Sequence, residues 1–130
     1  MKIQPNLKYA SSDEWVSVDG KIATLGISDY AQDQLSDIVF VEVNLAVGET
    51  VKKSATIATV ESVKAAADVI SPVSGKVVAV NEALSNTPEL VNSDPFGAAW
   101  LLKVELSDPA ELDNLMDAKA YEKYCVDRSH

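Results

Sequence analysis

The clearest alternation of apolar and polar positions lies near the C-terminal end of the chain. Trp100, Leu102, Val104 and Leu106 recur at every second position, with Lys103 and Glu105 between the last three. Period two predicts a strand whose first set faces a core and whose charged pair faces water. Residues 15–18 and 21–25 are β-prone runs flanking Asp19-Gly20, which predicts a hairpin closed by a type I′ turn. Residues 38–43 (Ile-Val-Phe-Val-Glu-Val) are apolar on nearly both faces and predict a strand inside a sandwich or barrel. Further β-prone runs occupy 56–63, 67–70 and 76–80, the last two separated by Ser71-Pro72-Val73-Ser74-Gly75.

Helical signals are fewer and lie between or after the strands. Ser28 can cap a short helix in which Asp29 sits near the positive end and Ala31 and Leu35 share a face. Residues 86–95 carry two Pro-containing punctuations and predict a long loop. Asp108-Pro109-Ala110-Glu111 has the form of a capping box with Pro at the first helical position. Leu112, Leu115 and Met116 then form an apolar face, and Asp117 caps a second helix with Tyr121, Tyr124 and Cys125 on one side. The sum is a mostly β fold with peripheral helices, including C-terminal helices over about 108–126. No linker interrupts it, so residues 1–130 are expected to form one domain.

Charge and composition narrow the function. The 130 residues carry 20 acidic against 11 basic side chains, a formal net charge of -9. Such a surface repels phosphate backbones and anionic lipid, so neither nucleic acid nor membrane is expected as a partner. Docking to proteins with basic patches fits it. The one cysteine, Cys125, makes no internal disulfide and is expected to pack as a small buried hydrophobe. The one histidine, His130, is the last residue and is expected to be disordered, so a histidine-based zinc site or catalytic dyad is disfavoured. Trp15 and Trp100 read as packing residues. G-x-S-x-G, Walker and H-E-x-x-H motifs are absent. The N-terminal residues have neither a signal-peptide core nor an Arg-rich transit composition, and the expected location is the cytoplasm, or an organelle for a matured chain.

A chain so poor in catalytic side chains suggests a carrier or a binding module. Attention falls on Val60-Glu61-Ser62-Val63-Lys64-Ala65-Ala66-Ala67-Asp68, where Lys64 sits between two β-prone segments among small residues. A lysine amine on a flexible stem can be acylated if it stands on an exposed turn. A nucleophilic lysine would instead need a desolvating pocket, and nothing around Lys64 predicts one. By composition and spacing alone an ordinary strand-end lysine is much the commoner case, by roughly nine to one. The segment also lacks the Asn-Gly or Gly-X pair favoured by tight hairpins.

The ordered motifs decide more. Lys8-Tyr9, Glu14-Trp15, Leu25-Gly26-Ile27-Ser28-Asp29-Tyr30-Ala31-Gln32, Asp37-Ile38-Val39-Phe40-Val41-Glu42, Glu61-Ser62-Val63-Lys64-Ala65, Ser71-Pro72-Val73-Ser74-Gly75, Pro88-Glu89-Leu90-Val91-Asn92 and Asp94-Pro95-Phe96-Gly97 resemble the H-protein family of the glycine cleavage system. The match runs in order from about Leu7 to about Tyr124. The resemblance implies a barrel-sandwich hybrid with lipoate covalently held on Lys64 at a hairpin tip. It implies a non-catalytic carrier, a monomer, whose arm takes an aminomethyl group from glycine decarboxylase. The arm presents that group to a tetrahydrofolate-dependent aminomethyltransferase and is reoxidised by dihydrolipoyl dehydrogenase. A lipoate ligase or a lipoyl or octanoyl transferase would modify Lys64. The resemblance also implies that Ser12, Glu14 and Asp68 shelter the loaded arm. Many members have His-Glu-Trp where this chain has Asp13-Glu14-Trp15, which puts an extra negative charge beside Glu14.

Rival readings remain at this stage. A lipoyl domain of a 2-oxo-acid dehydrogenase usually carries Asp-Lys-Ala and continues into a linker, whereas Val63 precedes Lys64 here. A biotin carrier has Met on both sides of its lysine. A relay protein that passes lipoate to other complexes, and an unmodified interaction module, complete the set.

Overall fold

The computed structural model describes residues 1–128; His130 lies outside them. All strand pairing is antiparallel and falls into two open sheets. The larger joins β1 (Lys8–Tyr9), β2 (Glu14–Asp19), β3 (Ile22–Ile27), β9 (Leu102–Leu106), β8 (Gly75–Val80) and β5 (Thr50–Val51), in that spatial order. The smaller joins β4 (Ile38–Val43), β6 (Thr56–Ser62) and β7 (Ala66–Ile70). Buried side chains of both sheets, among them Leu25, Val41, Val60, Val77, Leu102 and Val104, form one cluster. The mostly β class and the edge helices expected from periodicity are borne out.

Helices occupy the margins. Helix α1 (Asp29–Leu35) is capped as its sequence predicts, the Ser28 hydroxyl accepting from the Ala31 amide at 3.2 Å. Two single-turn helices, α2 (Ala83–Asn86) and α3 (Leu90–Ser93), occur within and just before the segment read as a long loop. Neither has a side-chain cap, so no local signal marked them. Asn92 anchors this region to the connection between α1 and β4: its Oδ1 accepts from the Ile38 amide (2.8 Å) and its Nδ2 donates to the Ser36 carbonyl (2.9 Å).

Four local expectations need correction. The strand over 38–43 is not enclosed. It is an edge strand with a register shift between Ile38 and Phe40, so Ile38 and Val41 are buried while Val39 and Phe40 are 54% and 43% exposed. The first hairpin closes on the pair Asp19–Ile22, which makes Gly20 and Lys21 its central residues. Only Gly20 has positive φ (64°), the φ pattern of a type II′ turn rather than I′. Trp100 and Leu101 precede β9; Trp100 is half-buried and Leu101 fully buried, so the alternation begins at Leu102. Finally, residues 109–114 form a 3₁₀ helix rather than an α-helix. Asp108 caps it by accepting from the Ala110 amide, but the Glu111 carboxylate accepts from the Ser74 amide (2.6 Å) and hydroxyl (2.8 Å), and so joins the tail to the β7–β8 turn.

The last helix, α4 (Ala118–Arg128), forms as expected with Asp117 accepting from the Ala120 amide at 2.8 Å. Tyr121 and Cys125 are buried and pack with Tyr9 and Trp15 in a second, aromatic cluster; the Tyr9 and Tyr121 rings stack at 4.4 Å.

Trp15 fixes the start of β2. Its partner across the sheet is Gly26, and its indole N–H donates to the Pro95 carbonyl at 2.9 Å. A Cβ at Gly26 would lie 2.5 Å from the indole ring, which is only 2% exposed and has nowhere to go. Gly26→Ala is therefore predicted to destabilise the protein by about 2 kcal/mol, through overpacking and loss of the Pro95 bond. Urea unfolding followed by tryptophan fluorescence checks it.

Candidate functional site

The hairpin of β6 and β7 carries Lys64 at its tip. Pairing is continuous from Ala58–Val69 to Glu61–Ala66, which leaves residues 63–65 to turn the chain. None of these three has a positive φ, so the turn dispenses with glycine. Ser62 replaces it. Its hydroxyl accepts from the amides of Lys64 (3.3 Å) and Ala65 (3.1 Å) and donates to the Ala65 carbonyl (3.2 Å), while its own amide donates to the same carbonyl at 2.7 Å. The Val63 amide donates to the Asp37 carbonyl at 3.1 Å and ties the tip to the segment entering β4. Lys64 and Val63 are both exposed. The amine thus stands on a fixed turn that another protein can reach.

Ser12, Glu14 and Asp68 line one cleft of about 200 Å³. The rest of its lining is mostly apolar: Ile27 from β3, Ala31 and Leu35 from α1, and Val60, Ala67 and Val69 from the hairpin, with Gln34 of α1 the polar exception besides Asp13. Asp68 lies four residues beyond Lys64, roughly 13 Å along an extended strand. Asp68 is exposed, and the Thr59 hydroxyl donates to it at 3.5 Å across the hairpin. Ser12 is also exposed and donates to Glu14 Oε1.

Glu14 differs from both. It is 2% exposed. The Ser12 hydroxyl and, at 3.4 Å, the Ile70 amide donate to its carboxylate. Neither ion pair among the described residues involves it. Burial pushes its carboxyl up to about 7, against the pull of those hydrogen bonds. A buried carboxylate that lines a largely apolar cleft and has no ion-pair partner among the described residues is suited to receive a cationic amine.

Asp13 also lines the cleft rim, in left-handed backbone with φ 80°. The charge it adds next to Glu14 is met from far along the chain. Arg128 pairs with Asp13 Oδ1, and the Tyr121 hydroxyl donates to the same oxygen at 2.8 Å. Burial raises the Tyr121 phenol, and Ser28 shares its hydroxyl at 2.5 Å. Sequence reasoning named Asp13 as a departure but missed Arg128 and Tyr121, which lie 115 and 108 residues away.

A family profile described as Glycine cleavage H-protein matches residues 7–128. This chain belongs to that family. Among the curated H proteins it resembles, the one from Thermotoga maritima is 52% identical over 119 residues, covering 92% of this chain and 95% of the relative. Glycine cleavage system H protein 2 of Arabidopsis mitochondria is 54% identical, covering 92% of this chain and 76% of that sequence. A crystal structure of the H protein from Mycobacterium marinum superimposes with a TM-score of 0.84 at 34% identity, covering 93% of this chain and 97% of that one. The barrel-sandwich expectation thus agrees with an H-protein fold.

The protonation of Glu14 sets a pH dependence of stability. The folded protein holds this proton more tightly than the unfolded chain does. Below the ordinary glutamate value of 4.5 both states are protonated and burial carries no ionic penalty; the penalty grows as pH rises and is complete above about 7. Glu14→Gln is therefore predicted to be more stable than the parent at pH 8, by on the order of 1–2 kcal/mol, and to have no such advantage at pH 4.5. Thermal unfolding of the unmodified protein at both pH values measures this.

Proposed function

We propose that this H-family protein is the lipoyl carrier of the glycine cleavage system, with lipoate attached to Lys64 and the loaded arm held in the cleft lined by Glu14. It is a non-catalytic carrier subunit. The observation that carries the reading is the conjunction of an exposed lysine at the fixed tip of the β6–β7 hairpin with an apolar cleft that this hairpin walls together with β2, β3 and α1, lined by a buried carboxylate that has no ion-pair partner among the described residues.

The residues present suit the group. Bound lipoate supplies a dithiolane that can accept a one-carbon unit and electrons and later be reoxidised. The protein's own part is physical. Ser62 and the Asp37 carbonyl hold the turn so that a lipoate ligase, or a lipoyl or octanoyl transferase, finds Lys64 in one geometry. Ile27, Ala31, Leu35 and Val60 offer an apolar wall to the arm and exclude water from it. Glu14 and Ser12 offer acceptors to the protonated amine of the aminomethyl cargo, and Asp68 adds negative charge at the rim. When that amine arrives, the Glu14 carboxylate gains the counter-charge that burial denies it, and its proton is released.

The partners follow from the carrier role: glycine decarboxylase, the aminomethyltransferase and dihydrolipoyl dehydrogenase. A net charge of -9 suits docking to basic patches on such enzymes. None of the described helices is long and apolar enough to cross a membrane. The cytoplasm of a bacterial cell is the compartment proposed.

Two outcomes are expected. Intact mass of protein made in lipoate-producing cells should show a lipoyl adduct on the parent and none on Lys64→Arg, with unchanged unfolding temperature because the side chain is exposed. An adduct retained by Lys64→Arg contradicts the assignment. In loaded protein, Glu14→Ala should speed formaldehyde release about tenfold, in proportion to loss of a charge-assisted hydrogen bond. Asp68→Ala should have a smaller effect, since that carboxylate is exposed and screened. Equal rates for all three proteins would remove the carboxylates from the shelter.

A further inference from the structure

The cleft has two opposed walls with different supports. One is the segment Ser12–Glu14, which leads into β2. The other is α1, which contributes Ala31 and Leu35. Behind the cleft the two are joined at the α1 cap, where the Ser28 amide donates to the Asp13 carbonyl at 2.9 Å and the Tyr121 hydroxyl bridges Ser28 and Asp13, and further along α1 by the last described residue of α4.

Arg128 does not line the cleft. Its Nη2 donates to Asp13 Oδ1, and its guanidinium carbon lies 4.2 Å from the ring centres of both Tyr30 and Tyr124. The guanidinium is thus held between a ring on α1 and a ring on α4 while its edge grips the 11–13 turn. Tyr30 immediately precedes Ala31 in the α1 wall. The Tyr124 hydroxyl donates to the Ser11 carbonyl at 3.0 Å, a second hold of α4 on the same turn. The side chains of Arg128 and Asp13 are only 27% and 20% exposed, so solvent screens the pair in part. Asp13 is in left-handed backbone, φ 80°, a conformation that aspartate adopts more readily than most residues and that the tight 11–13 turn uses.

We propose that Arg128 is a positioning residue for the carrier's cleft. The strand pair Glu14–Ile27 and the Ser28–Asp13 backbone bond anchor the base of the Ser12–Glu14 wall. By holding Asp13 against Tyr30, Arg128 keeps the free edge of that wall, Ser12 and the Glu14 carboxylate, closed on α1, and so lengthens the time for which the loaded arm is retained. The inference rests on the sheltered-arm reading of the function and adds to it a control exerted from the C-terminal helix. It also gives the Asp13 of this chain a role that depends on its charge: Asp13 and Arg128 act as one unit.

The test uses the full chain, lipoylated and loaded with the aminomethyl group, and follows formaldehyde release. Arg128→Gln and Asp13→Asn should each release about fivefold faster than the parent, and the double variant no faster than either single one, because both remove the same pair. Arg128→Lys, which keeps the charge but not the planar stack, should fall between. A second readout needs no cofactor. In unlipoylated Arg128→Gln, hydrogen exchange of the Asp13 and Ser28 amides, which donate to the Ala10 and Asp13 carbonyls, should speed up about tenfold, while the amides of β9 keep parental rates. A folded Arg128→Gln that releases at the parental rate overturns the proposal. So does exchange that accelerates equally in β9, since that marks a global loss of stability. A parent that releases no more slowly than loaded lipoamide free in solution overturns the sheltered-arm reading itself, and the retention claim with it.

Discussion

The site depends on burying the carboxylate of Glu14 without giving it a positive partner. Burial, helped by the nearby Asp13 charge, raises its proton affinity into the neutral range, and its hydrogen bonds only moderate that effect. In isolation the arrangement costs stability. It becomes favourable when a cation enters the cleft, which is the interaction the proposed loaded arm would complete. A carrier has need of this, because it must grip cargo between enzymes without chemistry of its own.

Much of the surrounding structure serves to hold that carboxylate in place. Glu14 opens β2, and the next residue, Trp15, is packed over Gly26 and bonded to Pro95, so the strand cannot slide. The hairpin brings Val60, Ala67 and Asp68 to the same cleft from the smaller sheet, and its tip is fixed by Ser62 rather than by a glycine. Helix α1 closes the other side. Its cap residue Ser28 is buried and shares a hydrogen bond with Tyr121 of α4, so the C-terminal helix reaches the α1 wall as well as the Asp13 turn.

Sequence patterns carried the strands, the α1 cap and the final helix, because these rest on local periodicity and on side chains adjacent to the amides they satisfy. They failed where the deciding contact was remote. Residues 38–43 read as enclosed because apolarity on two faces does not distinguish a central strand from an edge strand that bulges beside the hairpin tip. Glu111 read as half of a capping box, but Ser74 across the fold claimed its carboxylate. In the site, Lys64 stood out through its motif, and the geometry of its turn did not, since Ser62 makes a turn that glycine rules overlook. Ser12, Glu14 and Asp68 came from resemblance alone. Their assembly in one cleft is a property of the fold, and the support of Asp13 by Arg128 had no local signature.

The most direct test is an NMR titration of the Glu14 side-chain carboxyl, with carbon-13 labelling, in lipoylated protein before and after loading with the aminomethyl group. The account predicts a midpoint near 7 in the unloaded carrier and a fall toward the ordinary carboxylate range on loading, as the amine supplies the missing counter-charge. A midpoint that is the same in both forms would show that the cargo does not meet Glu14 and would contradict the account.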